Sequence, residues 1–587
     1  MKIYNLKILN FRGFEQIELK PKGHVFLVGE PGAGRSDTIE ALWRVLSSDS
    51  TRFPLLDDMD FHKKDLTKRI DIEVILGCLG PDLEQTFFDN LEKWNNREWK
   101  IIEEIISPSS EESGESIPME WVLRLCYRAV WENDRQQARH WVDFPKFSDP
   151  DSDSYKIVSR DLRSQIPVAL IDVKSTALSL GARGDLRQIV DSKKQADFSA
   201  SIDRFASGLV GLTDELMKSQ DLANVLDKIL DPLRVPLGIE NRPVSAAIKF
   251  APEGGSLSGI LRGLQATLKV RDDLEFLPLQ RHGSTINGLF QVASALAKND
   301  EKEAIILVDD FGDGIDFDSA IHLVSLLRNR SEQLWLSSRS GRLGQCFSLE
   351  EMIRLTVTSN GIRKVHIGQK PATKAERIAA RHFHLQLLPA ISSKSVVIVE
   401  GPHDRSALVA AAMKLNREEK KDLLEANRIA LLDAGAVDQS GGHTAIPRLA
   451  KLSKSIGFNV ITLIDWDNNE IIASNSLKEA LENSDAVIRW PKNYAIERAI
   501  LFGLDDSTIR TAVKEVSTAF NVPTFDPDSL SGENLQKQVV KFLKSPGGLH
   551  SLFIEALPEG CHPLLLRKCL DKIRLAPIQG GHIQLEI

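Results

Sequence analysis

Apolar and polar positions alternate from the first residues. "MKIYNLKILNF" has the period of two of a half-buried strand, and a turn at "RGF" leads into a second such run. "VFLVG" (25–29) is continuously apolar, as a strand buried on both faces should be. A glycine-rich turn follows it, and then "TIEALWRVL", whose apolar residues recur at helical spacing. "DIEVILGCLG" (71–80) predicts another strand. From about 198 to 235 the period becomes helical. Leu222, Val225, Leu226, Ile229 and Leu230 fall at i, i+3, i+4, i+7 and i+8 and share one face. That face suits either a core helix or a dimerising insertion, and spacing alone does not choose between them.

Strand-like runs return at 304–308 ("AIILV") and 333–336 ("QLWL"). A charged, helix-prone connector spans 370–393. After it come "SVVIVE", "RIALLD", "NVITLID" and "DAVIRW", short β-branched runs separated by helical stretches, which is the pattern of a parallel α/β sheet. The Ser/Glu/Pro-rich stretch 107–118 and "SDPDSDS" (148–154) read as loops. No repeat of 20–50 residues is present.

Composition changes this picture little. A chain of 587 residues with 42% hydrophobic and 27% charged positions is that of an ordinary globular protein with two to four domains. The start of the chain reads as a strand rather than a secretory signal, and no run approaches a membrane span, so a cytoplasmic, membrane-free protein is expected. Five cysteines without a CxxC pair argue for a reducing compartment and against a disulfide framework or a cysteine zinc site. A formal net charge of −8 requires any nucleic-acid surface to be a local basic groove.

The turn after the first buried strand reads Gly29-Glu-Pro-Gly32-Ala-Gly34-Arg35-Ser36. Such glycines let backbone N–H groups face phosphates, the helix that follows adds its dipole, and Ser36 can ligate Mg²⁺. Arg35 stands where lysine is usual. It keeps the charge but is longer, planar and forked, so it is no neutral replacement. In "AIILVDDFGDGID", Asp309 and Asp310 end an apolar strand, at the edge where α/β sheets bind ligands. Asp309 is in the place of a Mg²⁺-holding Walker B aspartate. Asp310 is where a longer glutamate often polarises the attacking water.

With its glycine loop and "IEALWRVL", the N-terminus "IYNLKILNFRGFEQIEL" resembles the RecF/SMC-type ABC ATPases, in which a long insertion separates the two nucleotide motifs, as Ser36 and Ala304 are separated here. The resemblance equates "HGSTINGLFQVASAL" (282–296) with the signature segment that caps the γ-phosphate of the opposite subunit, through Gly283, Ser284 and Asn287. "LWLSSRSGRL" corresponds to the switch segment, with Arg339 replacing histidine. Arg35, Asp310 and Arg339 are three departures from that class, so ATP binding is expected more firmly than rapid turnover.

In the second half, Glu400 ends "SVVIVE" before a Gly-Pro turn and a helix beginning near Asp404. Asp465 and Asp467 end "NVITLIDWD" and, two apart on an extended segment, point the same way. Oxygen-rich clusters of this kind suit Mg²⁺ or Mn²⁺, which can activate a water and stabilise an in-line phosphoryl displacement. In order and topology they resemble a TOPRIM domain. That resemblance implies a further acid at Glu497, in "IRWPKNYAIERAI", and a charge-stabilising lysine at Lys544, in "KFLKSPGGLHSLF".

An ABC-type ATPase fused to a C-terminal TOPRIM domain resembles the OLD (overcoming lysogenization defect) family of ATP-linked nucleases, which includes the nuclease subunit of the Gabija antiphage system. The likeness covers both ends of the first half and about 395–550. It implies an ATPase domain over 1–375 with a helical insertion around 180–240, a linker over 376–393 and a TOPRIM nuclease with a helical C-terminal region over 394–587. It also implies Mg²⁺- or Mn²⁺-dependent DNA cleavage with ATP as regulator, a homodimer or higher oligomer, a defence role and a companion protein. Two other chemistries stay open. Strand passage would need a nucleophilic tyrosine, and Tyr4, Tyr127, Tyr155 and Tyr494 lie in no such context. A nucleotide-dependent DNA-binding or sensor ATPase would use the second half as scaffold.

Overall fold

The computed structural model describes all residues except 51, 103–118, 173–200, 202–217, 239–246, 252–264, 271–274, 299–303, 437–444, 467–469, 523–524, 546–547 and 587. Asp467 and most of the expected insertion therefore lie outside the described residues. So does the loop at 107–118. The chain divides into two compact units, one of Met1–Val28 with Gly32–Val365 and the other of His366–Ile587 with Gly29–Pro31. The boundary falls at Val365/His366.

The first unit is mixed α/β and holds three sheets. Strands β1 (Lys2–Phe11) and β2 (Phe14–Leu19) form the hairpin that the alternation predicts, with Phe11 opposite Phe14 at its turn. β3 (Val25–Gly29) belongs to another sheet. β4 (Ile70–Gly77), β5 (Leu91–Asn95), β6 (Lys100–Ile101), β7 (Met119–Glu132) and β8 (Gln137–Asp143) join β1 and β2 in an antiparallel sheet, ordered β2-β1-β4-β7-β5-β6, with β8 on β7. The nucleotide-loop sheet takes β9 (Val168–Asp172), passes over the small sheet of β10 (Ile248–Ala251), β11 (Gln265–Leu268) and β12 (Leu277–Pro278), and continues with β13 (Ile305–Asp309), β14 (Gln333–Ser337), β15 (Met352–Val357) and β16 (Arg363–Ile367). Its order is β16-β15-β3-β14-β13-β9, and β3, β14, β13 and β9 run parallel. β3 and β14 are buried at every position, because a parallel sheet carries chain on both faces.

Helix α1 (Arg35–Leu46) leaves β3 through Gly34 and buries Ile39, Ala41, Leu42, Val45 and Leu46. Helix α2 (Gln220–Leu230) buries the predicted Leu222, Val225, Leu226, Ile229 and Leu230 and packs on α3 (Ser284–Lys298) of the same unit. The core reading thus accounts for that face. Helix α4 (Phe317–Arg330) follows β13 and is capped by Asp316, which accepts from Ser319 N–H at 3.0 Å.

In the second unit the segment expected to be a linker is folded. Thr373 and Glu376 form a reciprocal cap on α5 (Lys374–His382), whose chain continues through a π-helical turn with Phe383 and Leu387 buried. Beyond it lies a fully parallel sheet of β17 (Ser395–Val399), β18 (Ile429–Asp433), β19 (Asn459–Ile464), β20 (Ala486–Arg489) and β21 (Gly581–Gln584), ordered β18-β17-β19-β20-β21. Around it pack α6 (Pro402–Glu419), α7 (Ile496–Leu501), α8 (His550–Glu555) and α9 (Leu564–Gln579). One continuous core runs from Val397 through Ala407, Ile488, Ile500, Phe553 and Ile573. Among the described residues no helix is long and apolar enough to cross a membrane.

Candidate functional site

The glycine loop that follows β3 has the backbone that its composition calls for. Gly29, Gly32 and Gly34 all have positive φ, at 141°, 76° and 102°. Gly34 also has no room for a side chain, because a Cβ there would stand 2.3 Å from Phe14 Cζ and 2.8 Å from Arg363 Nη1. The loop hands over to α1 with Ser36 in the first turn, and Ser36 Oγ donates to Asp309 Oδ1 at 3.1 Å. Ser337, ending β14, donates to the same oxygen at 2.6 Å and accepts Asp310 N–H at 2.8 Å. The sequence reading missed Ser337. Its place on the strand between β3 and β13 is what brings it in.

Ser36 and Asp309 are therefore adjacent across 273 residues, as a shared Mg²⁺ would require. The three departures also meet here. Arg35 turns its Nη1 onto the Ser338 carbonyl. Arg339 forks around Asp310, with Nε donating to Oδ1 at 3.1 Å and Nη2 to Oδ2, and lies 3.7 Å from Asp313. Asp310 adopts a left-handed φ of 52° and presents both oxygens to Arg339. In this arrangement the carboxylate expected to face a water holds an arginine.

Ser284 opens α3, and its Oγ donates to the Gly314 carbonyl. Thr285 Oγ1 donates to that carbonyl at 3.2 Å and accepts from Asp316 N–H at 3.1 Å. Asn287 turns back to the His282 carbonyl, and Gly283 has open space around it. The signature-like segment is thus tied to the loop that follows Asp309 and Asp310. Near the phosphate turn, Arg12 gathers three carboxylates, Asp60 at 2.7 Å, Asp37 at 3.0 Å and Glu40 at 2.8 Å, while Arg363 holds the other oxygen of Asp37 at 2.9 Å. Neither arginine stood out in the sequence.

The second site lies at the C-terminal edge of the parallel sheet in the second unit. β17 and β19 are hydrogen-bonded neighbours with Ile398 opposite Thr462, so Glu400 and Asp465 leave the sheet side by side. Asp465 N–H donates to Glu400 Oε1 at 3.4 Å. Asp404, in the first turn of α6, accepts Gly401 N–H at 3.0 Å, which fixes its carboxylate beside the strand end. Burial, with Glu400 next to it, pushes Asp404 up to about 7. Asp465 is raised further, by burial and then by Glu400, Asp404 and Glu497, against a smaller opposing pull from Lys544.

Glu497, in the first turn of α7, is only 7% exposed. Burial works against its ionisation, yet it is held below the ordinary carboxylate value by His550 and by Lys544. Lys544 Nζ is 3.6 Å and His550 Nε2 3.4 Å from Glu497 Oε1. Of the acids and lysine singled out here, Glu400, Asp404, Asp465, Glu497 and Lys544 converge on one edge, and Asp467 falls outside the described residues. His550, and His403 stacked on it at 4.7 Å, were not anticipated. "GGLHSLF" carries no local pattern that would single out His550.

Among the described residues no three acidic, imidazole or thiol groups already stand at metal-ligating spacing. Donor chemistry, not preformed geometry, is what fits a divalent cation. Several carboxylates crowd one partly buried edge, and two of them are held toward the protonated form by burial and mutual repulsion, a penalty that a cation relieves. Glu400, Asp404, Asp465 and Glu497 are the oxygens that would hold it.

No protein-family model and no curated protein matches this chain. Among solved structures, the crystal structure of the SmcHead bound to the C-winged helix domain of ScpA is similar over 62% of this chain and 97% of its own, at 13% identity and a TM-score of 0.34, an overlap too low to establish a common fold.

Proposed function

We propose that the protein is a metal-dependent DNA endonuclease or nickase whose activity is regulated by ATP bound to its first unit. The observation that carries this is the gathering of Glu400, Asp404, Asp465 and Glu497, with Lys544, at the C-terminal edge of one parallel sheet. Carboxylates with raised pKa values against a single lysine suit phosphodiester chemistry better than a structural role, since as a stability device they repel one another.

A bound Mg²⁺ or Mn²⁺ would supply Lewis-acid stabilisation and water activation at this edge. Glu400, Asp465 and Asp404 would hold it at the strand ends. Asp467 joins them on the TOPRIM resemblance. Glu497 faces the same edge from α7. Lys544, 60% exposed, reaches out to the phosphodiester and offsets charge developing on its oxygens. In the first unit the glycine loop and Arg35 bind the phosphates of ATP, and Ser36 and Asp309 hold its Mg²⁺. Ser284 is the residue offered to a nucleotide on a second copy of the chain, which makes a homodimer or larger assembly part of the reading. A role in antiphage defence, with a companion protein, follows only from the OLD-family resemblance.

The test is cleavage of supercoiled plasmid by the full chain with Mg²⁺ or Mn²⁺, with and without ATP. Metal-dependent nicking or linearisation that disappears in Asp465→Ala supports the assignment, and cleavage that persists in that variant removes it. The Arg339–Asp310 pair favours a second reading, a nucleotide-dependent DNA-binding or sensor ATPase acting with a partner. Tight nucleotide binding with neither turnover nor cleavage would select it.

A further inference from the structure

His550 is fully buried at the start of α8, and its Nε2 faces Glu497 Oε1 at 3.4 Å. A carboxylate partner assigns the ring proton to Nε2. Nδ1 then has no hydrogen-bond partner, although a buried polar atom is normally satisfied. The ring stacks on His403 with centroids 4.7 Å apart and planes 18° apart. His403 belongs to the first turn of α6, next to Asp404. Gly548 makes the stack possible, because it sits at φ 64° and a Cβ there would be 2.3 Å from His403 Cε1.

An aromatic or aliphatic residue could fill the place of His550 without leaving a ring nitrogen unpaired. What it could not do is hold Glu497. His550 and Lys544 both address Oε1 of Glu497. Glu497 in turn acts electrostatically on Asp465 and Asp404.

The geometry points to His550 as a positioning residue: it orients the Glu497 carboxylate toward a divalent cation at the strand-end edge, with His403 as the stacked support and Gly548 as the space that admits it. The consequence for metal rests on the nuclease reading above, whereas the geometry does not. Partners of this kind, behind a ligand, typically change metal affinity by about 10–100-fold when removed.

The experiment is Mn²⁺ binding to the full chain by titration calorimetry, with thermal melting to confirm that each variant is folded. His550→Phe keeps a ring to stack and loses the N–H, and it is expected to weaken Mn²⁺ binding by about tenfold or more. His550→Gln, whose amide can donate to Glu497, should recover most of that loss. His403→Ala, at an exposed position, and Gly548→Ala should each weaken binding without touching Glu497, and they carry the test should His550→Phe fail to fold. Wild-type affinity in a folded His550→Phe, or in both His403→Ala and Gly548→Ala, overturns the inference, as does a glutamine no better than phenylalanine. Asp465→Asn separates the two claims: if it leaves Mn²⁺ binding unchanged, the carboxylate site itself is refuted whatever His550 does.

Discussion

Asp404→Asn in the metal-free protein probes the electrostatics of the carboxylate edge directly. Asparagine keeps the shape and the oxygen that accepts Gly401 N–H, and removes only the ionisable group. Burial and Glu400 raise Asp404 from the usual 3.8 to about 7. The folded chain therefore binds a proton that the unfolded chain releases between those values. The stability attached to this group is fully present below pH 3.8, declines as pH rises, and is gone above about 7. At about 1.4 kcal/mol per pKa unit, the move from 3.8 to about 7 corresponds to about 4 kcal/mol. Asp465 changes in the same direction, and part of its rise comes from Asp404. The assay is chemical denaturation in EDTA at a series of pH values from 4 to 8, wild type against Asp404→Asn. The wild type should lose several kcal/mol more than the variant over that range. Added Mn²⁺ should restore the wild type most at the alkaline end, where the carboxylates are charged and unrelieved. Parallel pH profiles for the two proteins would refute the account of the edge as mutually repelling, partly buried acids.

Four other outcomes are expected. Gly34→Ala combines a φ of 102° with a Cβ 2.3 Å from Phe14, so it should cost about 1–3 kcal/mol of stability and abolish binding of a fluorescent ATP analogue. Ser36→Ala and Asp309→Asn should each remove the Mg²⁺ dependence of nucleotide affinity, seen by titration with and without EDTA. Arg339 is solvent-exposed, where an ion pair adds little to stability, so Arg339→Ala should melt near the wild type while releasing Asp310. Its ATP turnover, followed by phosphate release, should rise several-fold. Lys544→Ala should slow plasmid cleavage by about 10²-fold.

The sequence by itself determined the elements whose signal is local. Strands buried on both faces appear as uninterrupted runs such as "IILVD" and "SVVIV", because a parallel sheet covered on both sides leaves no polar face to interrupt them. The hairpin of β1 and β2 shows as alternation because one side is more polar, and the face of α2 shows as five residues at helical spacing. The glycine loop was legible because positive φ demands glycine at fixed positions. Glu400 and Asp465 were legible because each directly follows an apolar strand.

Only the tertiary structure decided which distant side chains meet. Ser337 joins Ser36 at Asp309 because β14 lies between β3 and β13, an order that no local pattern encodes. The segment 376–393 was read as a linker because a short capped helix rich in charge resembles a connector until its apolar residues are seen buried. His403 and His550 are 147 residues apart, and nothing in either neighbourhood indicates a stack. Arg339 could be recognised as a replacement for histidine, but its bidentate hold on Asp310 could not, because that depends on the left-handed turn at Asp310. Periodicity and strand-end acids record what a residue needs from its own element. Pairings across hundreds of residues are set by how the elements pack, and they leave no trace in the spacing of either partner.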